Sequence, residues 1–474
     1  MIARVTPIST RSLPMTLSPA LRARSRSAFR AGALGAFAVL AVGLMGGLSG
    51  CGVVGGKGKV KTTPSLGNRI PVLSRIESGT KVSADLASVA VVVPPVTENA
   101  DWAQPGGNPA KAYGNLALGD SPSRVWTAKI AGSTGRQRLA AAPVIGGGQL
   151  FVFDSDGVVH AFDAATGRHN WTVSFKAKAY GASLFGGGVS FDDGKVYVTT
   201  GLGEISALDA KDGAKKWSVK PAGPLRGSPT VAFGSVYAMT QDNQLVAVNA
   251  EDGTGEWNVS GATGQTGVFG VAAPSAGQGT VIAGYSTGEL TAYRYENGRQ
   301  LWTDALARTS IATSVSSLTD VDADPIIENG RVYALGQGGR MAAYELVSGQ
   351  RIWELSLAGI STPAIAGDWI FTLTDEAKLL CIAKATGKVR WLTELGTFTN
   401  MKKKKGNAVY WTGPVLANGK LWLANSQGNL VAANSADGTF QTVARIGAPV
   451  TLAPVVAGKM LYVLDDGGKI SAFR

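Results

Sequence analysis

Thiol and imidazole are scarce in this chain of 474 residues, which holds two cysteines, Cys51 and Cys381, and two histidines, His160 and His169. Nucleophilic catalysis needs a hydroxyl or thiol beside a base that a third group orients, and metal sites need Cys and His at close spacing. The chain offers no such set. Its histidines fall within one repeat, no cysteine lies near them, and it has neither a C-x-x-C-H haem motif nor a vicinal cysteine pair. The chemistry that remains is that of charge. Asp320 and Asp322, in Leu318-Thr319-Asp320-Val321-Asp322-Ala323-Asp324-Pro325, alternate along an extended segment and so point the same way. Such a pair can face a partner, or it can serve turn or calcium-like capping chemistry on a loop. The run Lys402 to Lys405 reads as a solvated insertion loop, with an anionic partner as the other reading.

Cys51 has a chemical reading of its own. Residues 1–50 contain nothing acidic, and Arg4, Arg11, Arg22, Arg24, Arg26 and Arg30 precede an apolar run from Ala31 to Leu48. A basic segment, an apolar segment and small residues in that order make an export signal, although the run is also long enough for an uncleaved span. Leu48-Ser49-Gly50-Cys51 decides for the first, because it has the form of a bacterial lipobox, where the cysteine is acylated and the preceding segment removed. Each buried methylene of an acyl chain contributes about 0.8 kcal/mol to membrane attachment. Gly52 follows where enteric-type sorting would place an Asp to retain the protein in the inner membrane, which points to the outer membrane. Residues 1–50 are therefore expected to be a lipoprotein signal peptide, and residues 51–120 the lipidated cysteine, a basic tether and a lead-in. Within the lead-in, Val89 to Val93 is a β-like run stopped by Pro94-Pro95, and Trp102 is expected to pack onto the folded body.

The formal net charge of +12 shrinks accordingly, since six positive charges lie in residues 1–50 and residues 52–86 carry six more against two acidic residues. A basic tether suits anionic lipid. A nucleic-acid partner is excluded, because the body itself is almost neutral.

The body, residues 121–474, is organised by a repeated phrase, A-x-D-x-x-T-G-x-x-x-W. It runs from Ala161 to Trp171 and recurs with its last residue at Trp217, Trp257, Trp302, Trp353 and Trp391, then at Thr442 without the Trp. A period of forty to fifty residues signals a propeller or solenoid. Each unit reads as a strand after a small residue and Pro (Ala142-Pro143, Ser228-Pro229), then further strands separated by turns such as Asp156-Gly157. That predicts an all-β, eight-bladed β-propeller of four-stranded antiparallel blades. The last unit stops one strand short at Arg474. Ser123 to Ile130, with Trp126 in register, is predicted to complete the C-terminal blade and close the ring. Cys381 takes the Ala position of its copy and reads as core. A spacing of 51 residues between Trp302 and Trp353, and again between Trp391 and Thr442, marks insertions that tend to carry function.

The phrase resembles the tryptophan-docking motif of the pyrroloquinoline quinone (PQQ) propeller superfamily, which includes quinoprotein dehydrogenases and binding proteins without a cofactor. Within it, the lipobox, a single eight-bladed domain and the segment Asp320-Val321-Asp322-Ala323-Asp324-Pro325 are similar to the BamB family of outer-membrane assembly lipoproteins. The resemblance implies a non-catalytic scaffold without a cofactor, held by a lipid on Cys51 at the periplasmic face of the outer membrane. It would dock onto BamA through Asp320 and Asp322 and assist nascent outer-membrane proteins. The family's companion L-x-L-R pattern is sought in Thr266-Gly267-Val268-Phe269, where Phe269 replaces the arginine. The alternatives are a periplasmic PQQ-dependent dehydrogenase and an envelope sensor.

Overall fold

Short runs of alternating apolar residues between glycine-bearing turns form antiparallel strands locally, and here they assemble four to a sheet. The computed structural model describes residues 81–135, 137–175, 185–262, 272–306, 319–400 and 405–474; all belong to one unit, Arg69–Arg474. Cys51, Phe269 and Lys402 to Lys404 lie outside the described residues. Blade 1 consists of Val144–Gly146, Gln149–Phe153, Val158–Asp163 and His169–Ser174, hydrogen-bonded in that order. Blades 2 to 7 repeat the pattern over residues 187–219, 230–260, 275–305, 326–355, 364–394 and 411–445. Blade 8 has three strands between residues 455 and 473 and takes Arg124–Lys129 as its fourth, with Trp126 opposite Ala472. The predicted eight blades and the closure by the N-terminal strand are both present.

The phrase proves to be a joint read from two sides. Within a blade, Ala161 lies opposite Trp171 across the strand pair, as do Ala207 and Trp217, and Cys381 and Trp391. Between blades, each indole donates to a backbone carbonyl of the next: Trp126 to Ala164 (3.1 Å), Trp171 to Ala210 (3.0 Å), Trp217 to Ala250 (3.2 Å) and Trp257 to Tyr295 (2.9 Å). Trp302, Trp353 and Trp391 donate to Leu346, Lys384 and Ser435 in the same way. The phrase's glycine belongs to the neighbouring blade's joint. Gly213 has a φ of +76°, and a Cβ there would come within 2.8 Å of the Trp171 ring. Blade 7 departs from this pattern. Its β-bulge has moved, so Ala432 faces Gln441 rather than Thr442, and Val443 and Ala444 pack toward blade 8 instead of an indole.

Near the axis a second set of bonds links blades. Ser190 Oγ donates to the Pro229 carbonyl at 2.6 Å, Thr230 Oγ1 to Pro274 at 2.5 Å, and Ser275 Oγ to Pro325. The proline that opens an inner strand thus presents its carbonyl to the hydroxyl of the blade before it.

The lead-in differs from expectation. Val89–Val93 is not a strand; it runs beside blade 6, with Val91 and Val93 packed on that blade's core. From there residues 97–118 cross the end of the ring at which inner strands turn back into second strands, bonding to one blade after another. Asn99 contacts blade 8 through Val456 and Gly458, Trp102 forms a two-way bridge with Ile145 of blade 1, and Ala103 accepts from Phe191 of blade 2. Gln104 pairs with Val231 of blade 3, Pro109 accepts from Ala276 of blade 4, Ala110 accepts from Ile327 of blade 5, and Leu116 meets Leu416 of blade 7. This strap satisfies inner-strand backbone groups that would otherwise face the channel. Trp102 is buried within it, its ring 4.8 Å from that of Tyr113.

Candidate docking surface

The described parts of the connections into blades 3 and 5, residues 220–229 and 319–325, lie at the end of the ring away from the strap. There Arg226, on the connection into blade 3, meets Asp320, on the connection into blade 5. Arg226 Nη2 donates to both carboxylate oxygens, at 2.9 and 2.8 Å, and both side chains are almost wholly buried, 3% and 1% exposed. The pair spans across blade 4 and so joins two blades that are not neighbours. Asp322 Oδ1 stands 3.7 Å from the same guanidinium, which bears out the same-side alternation, and its side chain is 13% exposed. That oxygen accepts no hydrogen bond. Burial pushes the Asp322 carboxyl up to about 7; the Asp320 charge adds to this and the Arg226 charge opposes it.

The resemblance assigns Asp320 and Asp322 together to a partner; the structure places Asp320 as the buried half of an ion pair, and of the two only Asp322 reaches the opening. The arginine was missed. It sits in Pro224-Leu225-Arg226, ahead of Ser228-Pro229, so the Leu-Arg signal lay one blade earlier than the stretch in which it was sought.

A cavity of about 770 Å3 opens beside this pair and follows the axis inward, lined by Phe185, Ser228, Asp322 and Trp411 and reaching Trp102 and Tyr113 of the strap. Among the described residues no three His, Cys, Asp or Glu side chains gather as cation ligands. His160 Nε2 lies 2.8 Å from Asp154, whose other oxygen accepts from the N–H groups of Asp156 and Val158. That pair clamps a turn. The Cys381 thiol is fully buried and its pKa is raised by burial, which suits core packing rather than redox work.

The raised carboxyl makes a prediction. A carboxyl whose folded pKa lies above its unfolded value contributes stability at low pH that is lost as pH rises through the folded value, here about 7. Asp322→Asn is therefore expected to stabilise the protein more at pH 8 than at pH 5. Urea midpoints of variant and parent at the two pH values check this, and an equal difference at both would contradict it.

An eight-bladed ring jointed by tryptophans, with a buried ion pair bridging blades 3 and 5, is a PQQ-like propeller. The family model described as "Outer membrane protein assembly factor BamB" matches residues 155–393. The Salmonella typhimurium outer membrane protein assembly factor BamB is 33% identical over 353 residues, covering 73% of this chain and 88% of its own. The chain belongs to the BamB family. Among solved structures, BamB from Moraxella catarrhalis superposes with a TM-score of 0.63 at 17% identity, over 74% of this chain and 99% of its own. The quinohemoprotein alcohol dehydrogenase of Comamonas testosteroni reaches 0.62 at 15% identity, over 84% and 83%; likeness at that level speaks for the fold alone. Family membership sets the chain with assembly factors rather than with the dehydrogenases. Among the described residues no helix is long and apolar enough to cross a membrane.

Proposed function

We propose that the protein is a non-catalytic scaffold of the outer-membrane protein assembly machinery, docking onto BamA and assisting nascent β-barrel proteins. The observation that carries this reading is the Arg226–Asp320 pair bridging blades 3 and 5 with Asp322 beside it at the opening. A buried, hydrogen-bonded pair gives the loops around it one shape, and the Asp322 carboxyl next to it, 13% exposed at the opening, offers a partner's cation a partly desolvated site. Phe269 is assigned to the same contact as an apolar residue. The lipobox supports anchorage through a lipid on Cys51 at the periplasmic face of the outer membrane, after removal of residues 1–50. No cofactor and no nucleic acid take part. The basic tether in residues 52–86 suits the membrane surface.

Affinity capture of the lipidated protein from its host's envelope membranes tests the proposal. BamA is expected among the captured proteins, and Asp322→Ala is expected to reduce its recovery at least about tenfold. Failure to capture BamA, or a stoichiometric quinone absorbance on adding PQQ with calcium, would sink the reading.

A further inference from the structure

The strap spans the same blades as the ion pair. Gln104 is 1% exposed, and its side-chain amide imitates a β-bridge: Nε2 donates to the Val231 carbonyl at 2.8 Å, and Oε1 accepts from the Val231 N–H at 3.0 Å. Val231 lies on the inner strand of blade 3, Thr230–Ala232, which follows the connection bearing Arg226. Lys111 is equally buried and donates to Thr230 Oγ1 at 3.2 Å on that same strand. Six residues past Gln104, the Ala110 carbonyl accepts from Ile327 N at 2.9 Å on the inner strand of blade 5, Ile326–Glu328. The Lys111 charge faces the carboxylate of Asp324, the third aspartate of the segment that carries Asp320 and Asp322. Pro109 takes the N–H of Ala276 on blade 4, between the other two. Residues 104–111 therefore grip blades 3, 4 and 5 from inside the ring, and the ion pair crosses the same three blades at the other end of those inner strands.

We propose that Gln104 and Lys111 of the strap are positioning residues for docking: by fixing inner strands 230–232 and 326–328 relative to each other, they hold Arg226 and Asp320 in register. This rests on the docking function proposed above. It makes the lead-in a working part of the docking site rather than a spacer between lipid and propeller. The strap touches no partner. It acts through a chain of rigid contacts, two short strands and one buried ion pair, so its effect belongs to blades 3 to 5 and not to the ring at large.

The test uses the full mature chain in detergent, with binding to purified BamA periplasmic domains as one readout. Hydrogen exchange at residues 224–228 and 320–324, measured without any partner, is the other. Gln104→Met removes both bonds to Val231 and should weaken binding about five- to tenfold, with faster exchange in both segments. Lys111→Met is the second variant, should Gln104→Met fold poorly, and should act in the same direction. Asn99→Ala is the control: it removes a bond from the strap to the Val456 carbonyl of blade 8, and both readouts should stay at parental values. In a background carrying Arg226→Met and Asp320→Leu together, Gln104→Met should weaken binding no further, because a positioning residue has nothing left to position. Equal effects of Asn99→Ala and Gln104→Met, or full additivity in that background, would overturn the proposal and leave the strap a general brace. Parental binding by the Arg226→Met and Asp320→Leu background itself would instead overturn the docking function, and this inference with it.

Discussion

Arg226→Met is expected to lower stability by about 3–5 kcal/mol, because it strands a buried charge. Asp320 is 1% exposed, and Arg226 is the cation hydrogen-bonded to its carboxylate. Without it the carboxylate must be protonated, draw in water, or pull its connection out of place. Removing both charges is a different experiment. Arg226→Met with Asp320→Leu removes both hydrogen-bonded charges together, and replacing a buried pair by apolar groups of similar volume is often neutral or stabilising. The single variant should therefore unfold at much lower urea than the parent, and the double variant close to the parent. If the single variant costs less than about 1 kcal/mol, a range ordinary for exposed pairs, the bridge across blade 4 is not the structural element argued here.

The second large effect belongs to the joints. Trp171→Ala is expected to cost about 3–5 kcal/mol. The side chain is buried, its ring lies 5.8 Å from that of Phe151, and its indole N–H holds the Ala210 carbonyl at 3.0 Å. The partner side of the joint should respond too. Gly213→Ala combines a left-handed backbone with a Cβ 2.8 Å from the same ring, and should cost roughly 1–3 kcal/mol. Thr442→Ala, at the exposed position where the phrase lacks its Trp, should stay within about 0.5 kcal/mol. Thermal unfolding of the three variants gives the order. A Thr442→Ala loss as large as that of Trp171→Ala would mean that the joints are not carried by the indoles.

The features legible in the sequence were those built by repetition. Seven copies of one phrase exposed the frame of alanine, glycine and tryptophan, and Trp126 in register with Trp171 was enough to find the closing strand. Non-local contacts leave no such trace. Arg226 and Asp320 stand 94 positions apart, and nothing in either stretch announces the other; only the spacing of Asp320 and Asp322 signalled that something faced them. The strap was invisible for another reason. It binds mostly through its own backbone N–H and C=O groups, which every residue type supplies, so neither hydrophobic period nor motif marks it. Val89 to Val93 looked like a strand because β-branched residues favour strands, but among the described residues no partner strand pairs with it. At Thr442 the frame was right in sequence and wrong in space, because a bulge that moves along a strand shifts which residue faces the partner without changing the count.

Docking through the blade 3 to blade 5 bridge is tested most directly by calorimetric titration of the mature protein with BamA periplasmic domains, comparing the parent with the Arg226→Met and Asp320→Leu double variant. Saturable binding by the parent is predicted, with a loss of at least about tenfold in the double variant even though it unfolds near the parental urea concentration. Equal affinity in two proteins of equal stability would contradict the account.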